Sequence, residues 1–405
     1  MKRLLAAVLA ALSLFFLTAC GAPSGDAPLP EPPAKETPAF EPEAMPSTVP
    51  ETPIEPEAPE DPIDSLLASM TLEEKVGQLF FVRCPADSAV EDVSTYHLSG
   101  YILFGRDLQD ANGGWLTEEA FTAALHAYQA AASIPLLIGV DEEGGTVVRV
   151  SRNPNLFQKK FRSPQQIQRE ASGHGDAFAE DAWEKSNALL RLGINVNLAP
   201  VCDVSTNPGD FIHNRALGQD AHATAEYAAS VAGAMKEAGI GCVLKHFPGY
   251  GNNADTHTGI AVDQRPMETF ETSDFLPFRA GIQAGGGTAA VLVSHNIVQC
   301  MDPDLPASLS PAVHEILRDK LGFDGVVMTD DLAMKAVSAY AGDGAVAVMA
   351  LEAGNDLIIT TDYRAQVPKV IEAVERGALA EDVIDDACRR VLTWKQNLGL
   401  LEDLS

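Results

Sequence analysis

Eight short apolar runs recur between longer amphipathic stretches from residue 77 to residue 360, and no other feature limits the fold as tightly. They are 77–83 (GQLFFVR), 99–105 (SGYILFG), 135–141 (PLLIGVD), 194–200 (INVNLAP), 241–246 (GCVLKH), 289–295 (AAVLVSH), 325–330 (GVVMTD) and 355–360 (NDLIIT). Nearly continuous apolarity, rather than alternation, is what a strand covered on both faces requires. Helical spacing fills the gaps at 117–132, 178–192, 221–238, 274–284, 310–320, 341–353, 366–377 and 380–397. Thr71 and Glu74 form a capping box ahead of the first run, and Gly193 and Gly239 fall where C-terminal caps belong. About eight strand–helix units over residues 65–405 predict an α/β fold, a single (β/α)8 TIM barrel, with an open doubly wound sheet as the alternative. Neither Gly-x-Gly-x-x-Gly after the first run nor a Gly-x-x-x-x-Gly-Lys-Ser/Thr loop occurs, so dinucleotide and P-loop readings lack their key element.

Upstream of this body the composition changes twice. Residues 1–20 (MKRLLAAVLAALSLFFLTAC) place Lys2 and Arg3 before an apolar run that ends Leu-Thr-Ala-Cys, the pattern of an export signal. That ending resembles a bacterial lipoprotein signal in which Cys20 is lipidated, so the mature protein is expected to be extracytoplasmic and membrane-anchored through lipid alone. A plain secretory signal with an incidental Cys20 is the other reading. Residues 21–64 hold 13 of the 26 prolines and 11 acidic residues against Lys35 alone, too few apolar groups to fold, and read as a disordered tether.

The net charge of −29 divides as +2 for residues 1–20, −10 for 21–64 and −21 for the rest. An acidic body of this size argues against nucleic acid as a partner and against lying flat on an anionic bilayer. The remaining Cys84, Cys202, Cys242, Cys300 and Cys388 are odd in number and show no Cys-x-x-Cys, which argues against a disulfide framework or a zinc ribbon. No cofactor or metal is expected, and nothing in the sequence sets an oligomeric state beyond a simple monomer.

In a barrel, chemistry gathers at the C-terminal ends of the strands. Those ends carry Asp141-Glu142-Glu143 after the third run, Asp203 and then Arg215 after the fourth, and Lys245-His246 at the fifth. Ser294-His295 come at the sixth and Asp330-Asp331 at the seventh. In VVMTDDLAM, Asp330 stops an apolar strand and is read as the cleft carboxylate, whereas Asp331 is read as the cap of the next helix. In DEEGGTVVRV, Gly144 and Gly145 are expected to let backbone approach a ligand, and Arg149 to return toward the pocket.

The stretch KHFPGYGNNADTH, 245–257, ends a strand and turns sharply through Pro248, Gly249 and Gly251, with Tyr250 read as exposed. It then sets Asp255 two residues from His257, near enough for a carboxylate to hold an imidazole in one tautomer. Such a pair in isolation is often only a solvated loop.

The ordered set DEEGGTVVR, INVNLAPVCDV with HNRALG, KHFPGYG with DTH, GVVMTDDLAM and AGNDLII resembles the family 3 glycoside hydrolases, in their single-barrel β-N-acetylglucosaminidase branch. The resemblance covers nearly all of residues 65–400. It implies that Asp330 is the nucleophile of a retaining mechanism, His257 the general acid/base and Asp255 its partner. Asp141, Arg149, Arg215, Lys245 and His246 are implied to bind the sugar of a GlcNAc-containing glycan. It also implies that the acid/base comes from within the barrel rather than from a second domain. Tyr250 and Thr256 stand where the branch usually has histidine and serine, Glu142 and Thr146 replace a usual glutamine and arginine, and the loop before Asp255 is one residue shorter.

Three rival readings fit parts of the sequence. A metal-dependent barrel hydrolase would use His246, His257, His295 and Asp330, although the first strand reads FFVRC and lacks the His-x-His common in such enzymes. The others are an exo-glycosidase for another β-sugar such as glucose, and a silent lipoprotein that only binds cell-wall glycan.

Overall fold

The computed structural model describes residues 61–402 apart from 172–175, 254–258, 335–336, 338–339 and 341–344. Asp255 and His257, the expected signal with Cys20, and the tether up to residue 60 therefore lie outside the described residues. The first described element is the helix Pro62–Ser69, whose first turn is set by Asp61 accepting the Ile63 N–H at 2.9 Å and by proline at its first position.

The described strands in chain order are β1 (Phe81–Arg83), β2 (Gly100–Leu103), β3 (Leu137–Val140), β4 (Val196–Asn197), β5 (Gly241–Phe247), β6 (Val262–Asp263), β7 (Ala289–Val293), β8 (Ile297–Val298) and β9 (Val327–Thr329). Seven of them form one parallel sheet in the order β1-β2-β3-β4-β5-β7-β9, while β6 and β8 pair separately. The eighth expected run closes the ring without a ladder of its own. Leu357 bridges to Met328 and Ile358 to Phe80, with Ile358 N–H donating to the Leu79 carbonyl at 2.7 Å. The barrel expectation therefore holds, and the open sheet does not.

Several runs are shorter as strands than expected because polar side chains take over ladder positions. Asp356 Oδ2 accepts the Val327 N–H at 2.8 Å beside the eighth run. Around β4, Asn195 Oδ1 accepts from Ile138 N at 2.8 Å and Asn197 Oδ1 from Glu142 N at 3.0 Å. Every buried backbone donor needs a partner, and an amide or carboxylate side chain serves as well as a carbonyl. The first run starts late as a strand, since the Thr71–Glu74 capping box opens a helix that continues to Gln78.

Burial follows the apolar pattern: β2, β3, β5 and β7 are buried along their whole lengths. Inside the barrel the Phe81 ring crowds Gly139, where a Cβ would stand 2.5 Å from the ring's Cζ, so only glycine leaves room for the aromatic. Each such fully buried side chain contributes about 1.5–3 kcal/mol. The helices Glu118–Ala131, Ala177–Arg191, Ala221–Ala238, Phe275–Gly285, Tyr363–Glu375 and Glu381–Asn397 cover the outside, close to the expected spans. Cys84, Cys202, Cys242 and Cys388 are buried free thiols, and Cys300 is free and exposed.

Candidate active site

The C-terminal strand ends open into a cleft of about 470 Å3 that brings together Asp141, Arg149, Arg215, Lys245, His246 and Asp330. These six were singled out from separate stretches of sequence, and the barrel gathers all of them at one mouth. Asp255 and His257 lie outside the described residues.

At the floor stands Lys245, which is almost wholly buried. Its Nζ lies 2.7 Å from Asp141 Oδ1 and 2.7 Å from Glu143 Oε1. Arg215 holds Glu143 from the other side with a two-pronged contact, Nη2 at 2.6 Å and Nε at 3.0 Å. Arg149 Nη2 reaches Asp141 Oδ2 at 3.3 Å. Burial alone would raise the Glu143 carboxyl, but the charges and hydrogen bonds of Lys245 and Arg215 bring it well below the usual carboxylate range. Burial likewise works against the Arg215 cation, and Glu143 more than offsets it. The result is a rigid ionic floor with donors and acceptors in fixed places, suited to a hydroxyl-rich ligand.

His246 extends this network. Its Nδ1 stands 2.7 Å from Asp203 Oδ2, and its Nε2 stands 3.1 Å from Arg215 Nη2. A guanidinium can only donate, so Nε2 is the acceptor and Nδ1 carries the proton given to Asp203. Asp203 also accepts the backbone N–H of Tyr250 at 2.7 Å, joining the end of β4 to the loop after β5.

Asp330 continues directly from β9, with its N–H donating to the Val293 carbonyl at 3.0 Å. Its Oδ1 accepts the Asp331 N–H at 2.8 Å, which orients the carboxylate at the cleft. Asp331 itself accepts the Ala333 N–H at 3.0 Å and the Thr361 hydroxyl at 3.1 Å, which closes a tight turn; the helix start that it is expected to cap lies outside the described residues. His295 sits behind, with Nε2 donating to the Asp331 carbonyl at 3.1 Å and Nδ1 accepting from Ser308 at 2.7 Å. Both ring nitrogens of His246 and of His295 are thus engaged by protein groups. Among the described residues no cluster of three or more His, Cys, Asp or Glu has metal-site geometry.

Two expectations need correction. Gly144 and Gly145 are needed for close packing of the protein's own chain: a Cβ on Gly144 would stand 2.0 Å from the Arg162 carbonyl oxygen, and one on Gly145 2.6 Å from Ser163 Cβ. Their positive φ values of 103° and 66° let the loop pack on the protein's own 161–163 segment. Glu142 is fully buried, accepting from the amides of Arg149 at 2.8 Å and Val150 at 2.7 Å and from the Ser151 hydroxyl, so it pins the loop that carries Arg149. Burial pushes its carboxyl up, opposed by those same donors. Tyr250 is buried rather than exposed, its ring 5.6 Å from that of His246 and 5.8 Å from that of Phe211. It backs His246 and supports Phe211 at the cleft edge.

Glu143 and Asp203 stand at or beyond strand ends, as the sequence indicates. Their importance lies in whom they pair with, which residue type alone does not reveal.

The loop after β5 is anchored at its base by Arg265. This guanidinium donates to Asp263, to Asp274 and to the Gly249 carbonyl at 3.1 Å, while Asn253 Nδ2 donates to Asp263 at 2.8 Å. Both flanks of residues 254–258 are thereby tied to one point.

A closed parallel α/β barrel carrying carboxylates and cations at its C-terminal mouth defines the class, a TIM-barrel enzyme. The family model described as the glycosyl hydrolase family 3 N terminal domain matches residues 71–394. The chain belongs to glycosyl hydrolase family 3. A β-hexosaminidase of Xylella fastidiosa (strain M12) is 32% identical over 299 residues, covering 70% of this chain and 86% of that one. One from Alkalilimnicola ehrlichii is 33% identical over 284 residues, covering 68% and 76%. Among solved structures, a glycoside hydrolase family 3 β-N-acetylglucosaminidase from Paenibacillus sp. str. FPU-7 is 32% identical with a TM-score of 0.73. The match covers 82% of this chain but only 63% of that longer one. A β-N-acetylhexosaminidase from Beutenbergia cavernae DSM 12333 is 29% identical with a TM-score of 0.71, covering 81% and 99%.

Proposed function

We propose that the protein is a retaining, exo-acting β-N-acetylglucosaminidase that removes terminal β-linked N-acetylglucosamine from peptidoglycan fragments outside the cytoplasm, anchored by lipid at Cys20. The observation that carries this reading is Asp330, a carboxylate oriented by the Asp331 N–H and facing the same cleft as the Asp141–Lys245–Glu143–Arg215 floor. The names of the related β-hexosaminidases and β-N-acetylglucosaminidases support the choice of sugar.

In the first step an Asp330 oxygen attacks the anomeric carbon as the bond to the leaving oxygen breaks, and His257 gives that oxygen a proton. In the second, His257 takes a proton from water, which attacks the anomeric carbon and frees Asp330. Asp255 holds the imidazole in the tautomer both steps need. Asp141, Arg149, Arg215, Lys245 and His246 bind the sugar hydroxyls and hold the anomeric carbon in line with Asp330.

Initial rates on matched aryl β-glycosides of N-acetylglucosamine and glucose test the reading. The wild type is expected to turn over the first far faster, and Asp330→Asn neither. Preference for the glucoside, or full activity in Asp330→Asn, would overturn it.

A further inference from the structure

One cation of the cleft has no ion pair among the described residues: the carboxylate whose charge it acts on, Asp107, is bonded elsewhere, to the Phe104 N–H and to Arg106. Arg83 closes β1 and lines the same cleft as Asp330, yet among the described residues it makes neither ion pair nor hydrogen bond. Its Nε is shielded from solvent and unpartnered. The other cations are all paired: Lys245 with Asp141 and Glu143, Arg215 with Glu143, Arg149 with Asp141. In a chain of net charge −29, carboxylates are plentiful, so an unpaired guanidinium at the mouth is conspicuous.

Its surroundings hold it in readiness. The Arg83 guanidinium carbon lies 4.4 Å from the centroid of the Phe104 ring, and that of Arg149 lies 5.3 Å from the same centroid. Arg149 Nε is likewise buried without a partner. Two like charges share one aromatic ring, which steadies each by cation–π attraction but supplies no acceptor for their N–H groups. The two Nε atoms are shut away from the cleft, so an oxyanion there meets the outer Nη groups instead, relieves the repulsion and matches the planar fork of a guanidinium.

We propose that Arg83, assisted by Arg149 and positioned by Phe104, is a specificity-determining residue that binds an oxyanion on the glycan, a carboxylate or sulfate. This rests on the glycosidase reading and adds that the preferred substrate is charged. An anion on the terminal sugar and one on the leaving sugar offer the same chemistry.

Two matched pairs of substrates separate these sources. β-N-acetylglucosaminyl-(1→4)-N-acetylmuramic acid and its methyl ester place the difference on the leaving sugar. An aryl β-N-acetylglucosaminide with and without a 6-sulfate places it on the terminal sugar. In one pair the wild type is expected to favour the charged member by about ten- to a hundred-fold in kcat/KM, chiefly through KM. That ratio should collapse toward one in Arg83→Gln and stay intermediate in Arg83→Lys. A wild type with no preference in either pair, or a ratio that survives in Arg83→Gln, overturns the proposal. If the wild type hydrolyses none of the four, the glycosidase reading fails separately, and calorimetric Kd ratios for the same pairs decide the role of Arg83.

Discussion

Arg215 Nη2 lies 3.1 Å from His246 Nε2, while Nδ1 of the same ring lies 2.7 Å from Asp203 Oδ2. A permanent donor on one side and a carboxylate on the other leave the imidazole a single orientation and tautomer. Asp203→Asn preserves shape but removes the charged acceptor. It is expected to lower kcat/KM on an aryl β-N-acetylglucosaminide by about ten- to a hundred-fold, with an unchanged far-ultraviolet circular dichroism spectrum. Wild-type kinetics in this variant would show that the orientation of His246 does not matter to turnover.

Arg265 should matter to both stability and rate. It serves Asp263 and Asp274, both nearly inaccessible to solvent, and the Gly249 carbonyl. Arg265→Met leaves two buried carboxylates without a counter-charge, a loss of about 3–5 kcal/mol in urea unfolding. The fall in kcat should exceed the fall in folded fraction, because the anchor of the 254–258 flanks is gone. Equal falls in both would reduce Arg265 to a structural residue.

The same knot carries a pH dependence. Burial pushes the Asp274 carboxyl up from 3.8 to about 6, with Asp203 and Asp263 adding to the shift against the opposing charge of Arg265. The contact raises the Arg265 guanidinium, yet for Asp274 burial outweighs what Arg265 returns, and that guanidinium also serves Asp263. The folded state holds this proton more tightly than the unfolded chain, so the contribution is full below pH 3.8 and is lost as pH rises through about 6. Relative to Asp274→Asn, the wild type should lose about 2 kcal/mol of stability between pH 4 and pH 7. Parallel stability–pH curves for the two proteins would refute the assignment.

Lys395 is a stability liability far from the cleft. It is fully buried in the helix Glu381–Asn397, with Nζ donating to Gln78 Oε1 at 2.7 Å. Burial draws its ammonium down from 10.5 to about 7, opposed by Cys388. The unfolded chain binds this proton more readily, so stability rises as pH climbs from about 7 to 10.5. Lys395→Met should stabilise the protein by about 2–4 kcal/mol at pH 7, and the gain should shrink toward pH 10. A variant less stable at every pH would mean that the bond to Gln78 outweighs the buried charge.

Much of this was legible in the order of residues. Eight apolar runs led to the barrel because burial on both faces leaves a direct mark on sequence. Asp141, Lys245, His246 and Asp330 were found because each stands where an apolar run stops. Other features hide in partnerships. Asn195, Asn197 and Asp356 shorten strands by bonding backbone across the sheet, and nothing local announces a partner 29 or more residues away. Glu142 and Glu143 are adjacent and chemically alike, yet one pins a loop and the other neutralises two cations of the cleft. Tyr250 looked exposed amid turn-formers, and only the fold reveals Phe211 and His246 on either side of it.

The stereochemistry of the first product tests the Asp330 assignment most directly. Proton NMR during the earliest turnover of an aryl β-N-acetylglucosaminide should show the β-anomer of N-acetylglucosamine first, with the α-anomer growing only by mutarotation, since two displacements at one carbon restore its configuration. If the α-anomer forms first, water attacks the substrate directly and Asp330 is not a nucleophile.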